Sequence, residues 1–351
     1  MFRSRLITLL DSVLDILERD EKYRHFHLDG QAILLEDYLE ARPEREALIR
    51  RMAREGRLSV GPWYVLPDAF LVSGESLIRN LLAGKAIARE FGGYCPVGYL
   101  PDQFGHIAQM PQILRRFGIE AAVLWRGLDY EVSRYNEFWW VAPDGSRVLA
   151  VHLPPRGYGG LVDLSQDHEA GAEKVNRRLE FLVPRSASGE VLLLYGDDHW
   201  PPDSGLPRFL ERLVSEHPGL EFRLGSLAEY FALLQERLPP GGLAEVAGEL
   251  NSPKDTRVLQ SVYSTRMPLK QLNFHCETLL ERWVEPTSVY ASWLGGEPPQ
   301  GLLRLAWKWL LRNHPHDSIC GCSVDEVERD MRARFAWCQD CLLYTSPSPR
   351  D

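Results

Sequence analysis

Apolar residues along this chain recur at two spacings, and the alternation between them outlines the fold. Leu6, Leu9, Leu10, Val13, Leu14 and Leu17 fall three or four positions apart, which predicts an amphipathic helix ending near Asp20. His25 to Leu28 reads as a short strand, and Asp29-Gly30 turns it into a helix through Ile33 to Tyr38. Pro43 starts another helix, which ends at Gly56. Leu58 to Trp63 reads as a strand and Tyr64 to Ser73 as a long loop carrying Asp68. Ser73 then caps a helix through Leu77, Leu81, Ile87 and Ala88. Val97 to Leu100 is an extended apolar run stopped by Pro101. After it, Ile107, Met110, Ile113, Leu114 and Phe117 keep helical spacing until Gly118 closes the helix.

The same alternation continues past Gly118. Ala121 to Trp125 is a buried strand, and Phe138 to Val141 and Arg147 to His152 flank a Pro143-Asp144-Gly145 turn. A polar helix covers about Glu169 to Leu182. Val191 to Leu194 is wholly apolar, as a strand buried on both faces should be, and it runs into Tyr195-Gly196-Asp197-Asp198-His199. Leu206 to Val214 reads as helix, Phe222 to Leu224 as strand and Leu227 to Leu238 as helix. Short strands with helical returns predict an α/β class with a mostly parallel sheet; a closed barrel and an open sheet both fit. Pro239-Pro240-Gly241-Gly242 marks a boundary, giving a first domain at 1–240. Beyond about Ser264 the strand pattern stops. Leu269 to Trp283, Thr287 to Leu294 and Leu302 to Asn313 predict a small three-helix bundle domain, 264–341. The last eight residues, 344–351, YTSPSPRD, carry nothing to pack and read as a non-native tail.

Composition narrows the function. A chain of 351 residues has room for one large barrel or two ordinary domains. The formal net charge of -9, with no basic cluster, argues against a nucleic-acid partner. No apolar run approaches the roughly 20 residues that span a bilayer, so no membrane partner is expected. Acids inside the N-terminal apolar pattern separate it from a signal peptide. Six cysteines without a regular framework point to a reducing cytoplasm. Cys320-Gly-Cys322 and Cys338-x-x-Cys341 look metal-like, but their partners are missing at finger spacing.

The candidate chemistry sits at strand ends, where parallel α/β proteins keep it. Asp102 follows the Val97 run, and Asp197-Asp198 follow the Val191 run. Two carboxylates facing one sugar bond make a glycosidase, and repulsion between adjacent acids favours keeping one of them protonated. Helix capping accounts equally for Asp102, and solvated loops for the pair. Asn313 to Ser318, NHPHDS, sets two histidines beside an acid, which suits a divalent metal. Histidines satisfying helix-end carbonyls produce the same cluster. Arg126, next to Trp125, can hold a catalytic carboxylate ionised. Asp29, Trp63 and Asp68 also lie at strand ends or just beyond; an aromatic there faces a sugar or simply packs. His106 reads as a packed structural residue.

Taken together, GPWYVLPDAFLVSGESLIRNLL, PDQFGH, LWRG, YGDDHWPP and NHPHDSICG resemble glycoside hydrolase family 38, closest to its bacterial α-mannosidase branch, which includes enzymes acting on mannosylglycerate. The resemblance runs from about residue 3 to about 340. It implies a retaining α-mannosidase acting on a carbohydrate substrate, with a seven-stranded β/α barrel followed by a three-helix domain. It also implies one divalent metal, usually zinc. By the same resemblance Asp102 is the nucleophile and a metal ligand, and His316 is the ligand donated by the helical domain. Arg126 lies beside the nucleophile, Phe104 is an aromatic near the sugar, and Asp317 is the acidic neighbour of His316. Asp198 is the acid/base, with Asp197 second. Trp63, Asp197 and Asp317 join Arg126 and Phe104 as candidate substrate-binding residues.

Family members begin with a strand carrying a His-x-His-Trp-Asp type segment that supplies two further ligands. This chain reads as starting at the helix after it, so the barrel's first strand is missing, as are the β domains that normally follow. The expectation is a fragment that binds metal poorly and is inactive or nearly so alone. A retaining pair should stand about 5–5.5 Å apart. A metal-dependent carbohydrate deacetylase and an inactive sugar-binding scaffold remain rival readings, and a homo-oligomer stays open.

Overall fold

The structure, a computed structural model, describes residues 2–345. Helix α1 (Phe2–Arg19) is followed by β1 (Phe26–His27), α2 (Ile33–Leu39), α3 (Glu46–Arg54) and β2 (Leu58–Ser59). Then come α4 (Gly74–Phe91), β3 (Val97–Leu100), α5 (Met110–Arg116) and β4 (Ala121–Leu124). The hairpin β5 (Glu137–Val141) and β6 (Arg147–His152) leads to α6 (His168–Leu182), α7 (Leu206–Glu216), α8 (Leu227–Arg237) and β7 (Glu245–Ala247).

The main sheet has the order β3-β4-β6-β5-β7. β3, β4 and β6 run parallel, while β5 is antiparallel to β6 across the Pro143 to Gly145 turn. β1 and β2 form a separate parallel pair, but the bridge Val60↔Tyr94 carries the wall on towards β3. Every residue of β3 and β4 is buried, as an apolar run covered on both faces requires.

Two predicted strands differ. Val191 to Leu194 and Phe222 to Leu224 join no ladder. Leu192 and Leu194 pack into the core around β3, β4 and β6, while Val191, Leu193 and Tyr195 pack into the core beneath α1–α3. The two-residue alternation is therefore present, and the hydrogen-bonded neighbour is what is missing. The ladders thus define a mixed α/β fold with parallel strands and covering helices. β7 pairs with β5 and follows the Pro239–Gly242 turn, so the sheet extends beyond it.

Helices occupy the remainder. α9 (Met267–Thr278) passes through a π turn at Leu279–Val284 directly into α10 (Glu285–Trp293), so two predicted helices form one run. The wide turn lies just ahead of Pro286, whose ring cannot donate to the ladder. α11 (Gln300–Leu311), the short α12 (His316–Ile319) and α13 (Asp325–Thr345) follow. Met331, Phe335, Cys338 and Leu342 form the buried stripe of α13 against Leu269, Cys276, Leu280 and Leu310. Of the predicted tail, residues 344 and 345 continue α13, and residues 346–351 lie outside the described residues.

The helical part is fixed to the sheet part by polar contacts. Glu277 accepts hydrogen bonds from Ser73 N and Ser76 Oγ, both at 2.8 Å, at the start of α4, where the helix dipole favours an anion. The bridge Pro67↔Pro315 brings the start of α12 against the loop after β2. His316 N donates to Leu66 O at 3.0 Å in that contact.

Candidate active site

Strand register explains the first pair. Leu100 and Leu124 are partners at the ends of β3 and β4, and Asp102 and Arg126 each lie two residues further on. The two side chains therefore leave the sheet side by side. Arg126 Nε donates to Asp102 Oδ1 at 2.7 Å, and Nη2 donates to the same oxygen. Trp125 supports the guanidinium from 4.1 Å, and the Phe104 ring lies 5.6 Å from it.

Asp102 Oδ2 is left to face His316 Nε2 at 3.5 Å. His316 Nδ1 lies 3.2 Å from Leu66 O, and a carbonyl only accepts, so Nδ1 carries a hydrogen. With Nδ1–H so engaged, Nε2 is the ring atom aimed at Asp102. Phe104 meets the imidazole edge-on at 5.5 Å. At 3% exposure, Phe104 seats His316 and Arg126 and offers no open face.

The second acid arrives from the unpaired Val191 segment. Asp197 Oδ2 accepts from Gly160 N and its Oδ1 from Asp198 N, both at 2.9 Å, so Asp197 secures the loop. Asp198 is the acid turned to the cluster. Tyr158 Oη donates to Asp198, 3.3 Å from each carboxylate oxygen, and also interacts with Asp102. One phenol thus links the two acids. Gly157, at φ +57°, lets Tyr158 approach; any side chain there would enter the Trp125 ring.

The two acids are pushed in opposite directions. Burial raises the Asp102 carboxyl, but His316 and Arg126 outweigh it, and the net shift is below the ordinary carboxylate value. Asp198 is raised, first by burial and then by the charge of Asp102, with Tyr158 opposing. Tyr158 itself is pushed far up by burial and by both carboxylates. For His316, burial disfavours the cation, yet Asp102 and Asp317 lift it to about 9.

Further acids line the same strand ends. Asp29, after β1, is raised to about 6, chiefly because neighbouring groups desolvate its carboxyl, against a bond from Gln31. Asp68 is buried; its Oδ1 accepts from Phe70 N at 2.8 Å, and its Oδ2 has no partner. Asp317 is exposed, with Oδ1 4.0 Å from His316 Nε2. Trp63 corrects the sequence reading: it is fully buried, its indole N–H donates to Tyr99 O at 3.0 Å, and it presents no face to a sugar. His106 is fully buried, as expected of a packed residue.

Asp102, Asp198 and His316 are therefore brought together, with Arg126 and Phe104 as supports. Tyr158 escaped the sequence reading because a lone tyrosine carries no acid–base signature. Its signal was the run Gly157-Tyr158-Gly159-Gly160 just past a strand end.

As for a metal, Asp102 and His316 aim one carboxylate oxygen and one imidazole nitrogen at a shared point, and the chemistry of that pair fits a divalent ion. They supply two of the three protein ligands a catalytic metal ordinarily takes. Among the described residues, no third His, Cys or carboxylate donor completes a group with them.

Two acids held close on an α/β scaffold are the arrangement with which glycoside hydrolases cleave a sugar bond. Residues 3–256 match the glycosyl hydrolases family 38 N-terminal domain, and residues 257–340 match the alpha mannosidase middle domain. The chain belongs to glycosyl hydrolases family 38. It is 36% identical over 348 residues to a Halalkalibacterium halodurans protein provisionally named a mannosylglycerate hydrolase, covering 95% of this chain and 38% of that one. Alpha-mannosidase 2C1 of Mus musculus is 30% identical over 308 residues, covering 86% of this chain and 28% of that one. The crystal structure of an alpha-mannosidase from Enterococcus faecalis superposes with a TM-score of 0.92 at 35% identity, over 98% of this chain and 39% of that chain. The chain spans less than two fifths of the length of these relatives.

Proposed function

We propose that this chain carries the catalytic residues of a retaining α-mannosidase acting on terminal α-mannosides, mannosylglycerate among them. One observation carries the reading. Asp102 is held ionised by Arg126 and His316 while Asp198 is held towards its protonated form, and Tyr158 links the two. Opposed shifts in neighbouring carboxyls are what a nucleophile and a general acid require.

In the first step the Asp102 carboxylate bonds to the anomeric carbon as the glycosidic C–O bond breaks, and the Asp198 proton passes to the leaving oxygen. In the second, water gives a proton to Asp198 and its oxygen to the anomeric carbon, releasing Asp102. Arg126 keeps Asp102 deprotonated and oriented between steps. Asp102 and His316 would hold the divalent metal, zinc in the usual case, whose positive charge polarises sugar hydroxyls when bound. The closed seven-stranded barrel with its three-helix follow-on, the division at 240 and 264, and a cytoplasmic location belong to the same reading. The family domains meet at residues 256 and 257, between those limits, and all six cysteines are free.

A fluorinated mannosyl fluoride, which forms the glycosyl-enzyme and releases it slowly, tests the assignment. Peptide mass mapping should find the mannosyl group on Asp102. A label on any other residue, or first release of the β-anomer from an α-mannoside, would overturn it.

A further inference from the structure

The turn that ends α12 sets two thiols, which the glycosidase reading does not use, against Asp317. Cys320 N donates to His316 O at 3.1 Å, and Gly321 N to Ser318 O at 3.0 Å. Gly321 takes φ +83°, a left-handed helix stop that sends the chain back beside the start of the helix. Cys322 consequently returns to Asp317: its Sγ lies 3.3 Å from Asp317 Oδ1 and 3.2 Å from Cys320 Sγ. Arg266 fixes this turn, its Nε donating to Gly321 O at 3.1 Å. Lys270 Nζ donates to the carbonyls of Ile319 and Cys320, each at 3.0 Å, placing a cation beside the thiols. Among the described residues, Asp317, Cys320 and Cys322 are the one group of three such donors whose ligand atoms all lie within 4.8 Å of one another.

We propose that Asp317, Cys320 and Cys322 form a site for a thiophilic divalent cation of the zinc type, adjoining the Asp102–His316 pair but built on ligands of its own. Two sulfurs and one carboxylate oxygen are three ligands of a tetrahedral ion, with water as the fourth. Thiolates select such an ion over magnesium or calcium. Metal–sulfur bonds of about 2.3 Å at tetrahedral angles set two sulfurs about 3.8 Å apart. The pair here must open by roughly half an ångström. Cys322 is exposed and follows a glycine, so it has the freedom to move. Binding converts two thiols and one dication into a dithiolate complex and two protons released to solvent. The nearby Lys270 charge favours the thiolates. Cys338 and Cys341 stay in the core of the helical part and contribute nothing.

Cobalt(II) is the probe, because its near-ultraviolet charge-transfer band requires a thiolate and is not produced by carboxylate or imidazole alone. Titration of the purified chain should raise that band to saturation at one equivalent. C322S, at an exposed position, should abolish it while circular dichroism stays unchanged, and D317N should weaken binding by at least about tenfold. C338S should retain it. A chain without the band, a band surviving C322S, unaltered affinity in D317N, or loss in C338S would each overturn the site. The readout involves no sugar, so its failure leaves the mannosidase reading untouched.

Discussion

Arg126 grips one oxygen of Asp102 and leaves the other free: Nε and Nη2 both donate to Oδ1, while Oδ2 faces His316 at 3.5 Å. A single guanidinium so placed orients the carboxylate and keeps it charged. Lysine brings the charge without the planar fork. On the proposed mannosidase reading, R126K in the enzyme that carries this chain should lower kcat/KM on a nitrophenyl α-mannoside by about 10- to 100-fold, or roughly 1.4–2.8 kcal/mol. The sign of the pH effect is also fixed. Arg126 lowers the Asp102 value, so R126A should move the acidic limb of the kcat/KM profile to higher pH. An unmoved limb would separate Arg126 from the ionisation of Asp102.

Tyr158 makes the complementary prediction for the other limb. Its hydrogen bond favours ionised Asp198, so it lowers a value that burial and Asp102 raise. Y158F removes that bond and should shift the alkaline limb to higher pH. Loss of orientation should lower kcat by between about tenfold and a hundredfold. A profile displaced downward would mean the phenol serves a different group.

Asp102 and Arg126 were legible in the sequence because each stands two residues past an apolar run, and the register of those runs makes them neighbours. His316 was legible only through its company in NHPHDS; nothing local says that Leu66 would hold it. Trp63 shows the reverse difficulty, since a strand end tells how far along the chain an aromatic lies but not which way it turns. The Val191 run kept its two-residue alternation, yet a ladder needs a partner that local spacing does not specify. α13 was missed because charged residues crowd its exposed side and dilute the stripe at Val327, Met331, Phe335 and Cys338.

Gly84 on α4 reports how closely that helix packs behind the strand ends. A methyl there would collide with the backbone of Pro62, Trp63 and Tyr64, which cannot retreat as a side chain can. G84A should cost about 3 kcal/mol, read as a lower urea midpoint with unchanged m-value. G74A, at the exposed start of the same helix with open space around it, should stay within about 0.5 kcal/mol. Similar costs at both positions would show that the packing at Gly84 is looser than the geometry indicates.

Acid stability follows from the buried histidines, His106, His152 and His314 among them. Burial lowers His106 and His314 to about 3 and, as the largest influence, His152 to about 4, against 6.5 for the free side chain. Neither ring nitrogen of His106 has a close hydrogen-bond partner, and the Arg126 backbone offsets little of the burial that disfavours its protonation. Between the folded and unfolded values the unfolded chain binds more protons, and stability therefore falls as pH falls. The contribution is complete above about pH 6.5 and is lost on going down towards pH 4, at about 1.4 kcal/mol per pH unit for each histidine. Urea unfolding between pH 7.5 and 5 should show the midpoint dropping, and the decline should be shallower in H152Q, where one of the three no longer titrates. A midpoint that held steady across that range would mean these imidazoles are already charged in the folded chain.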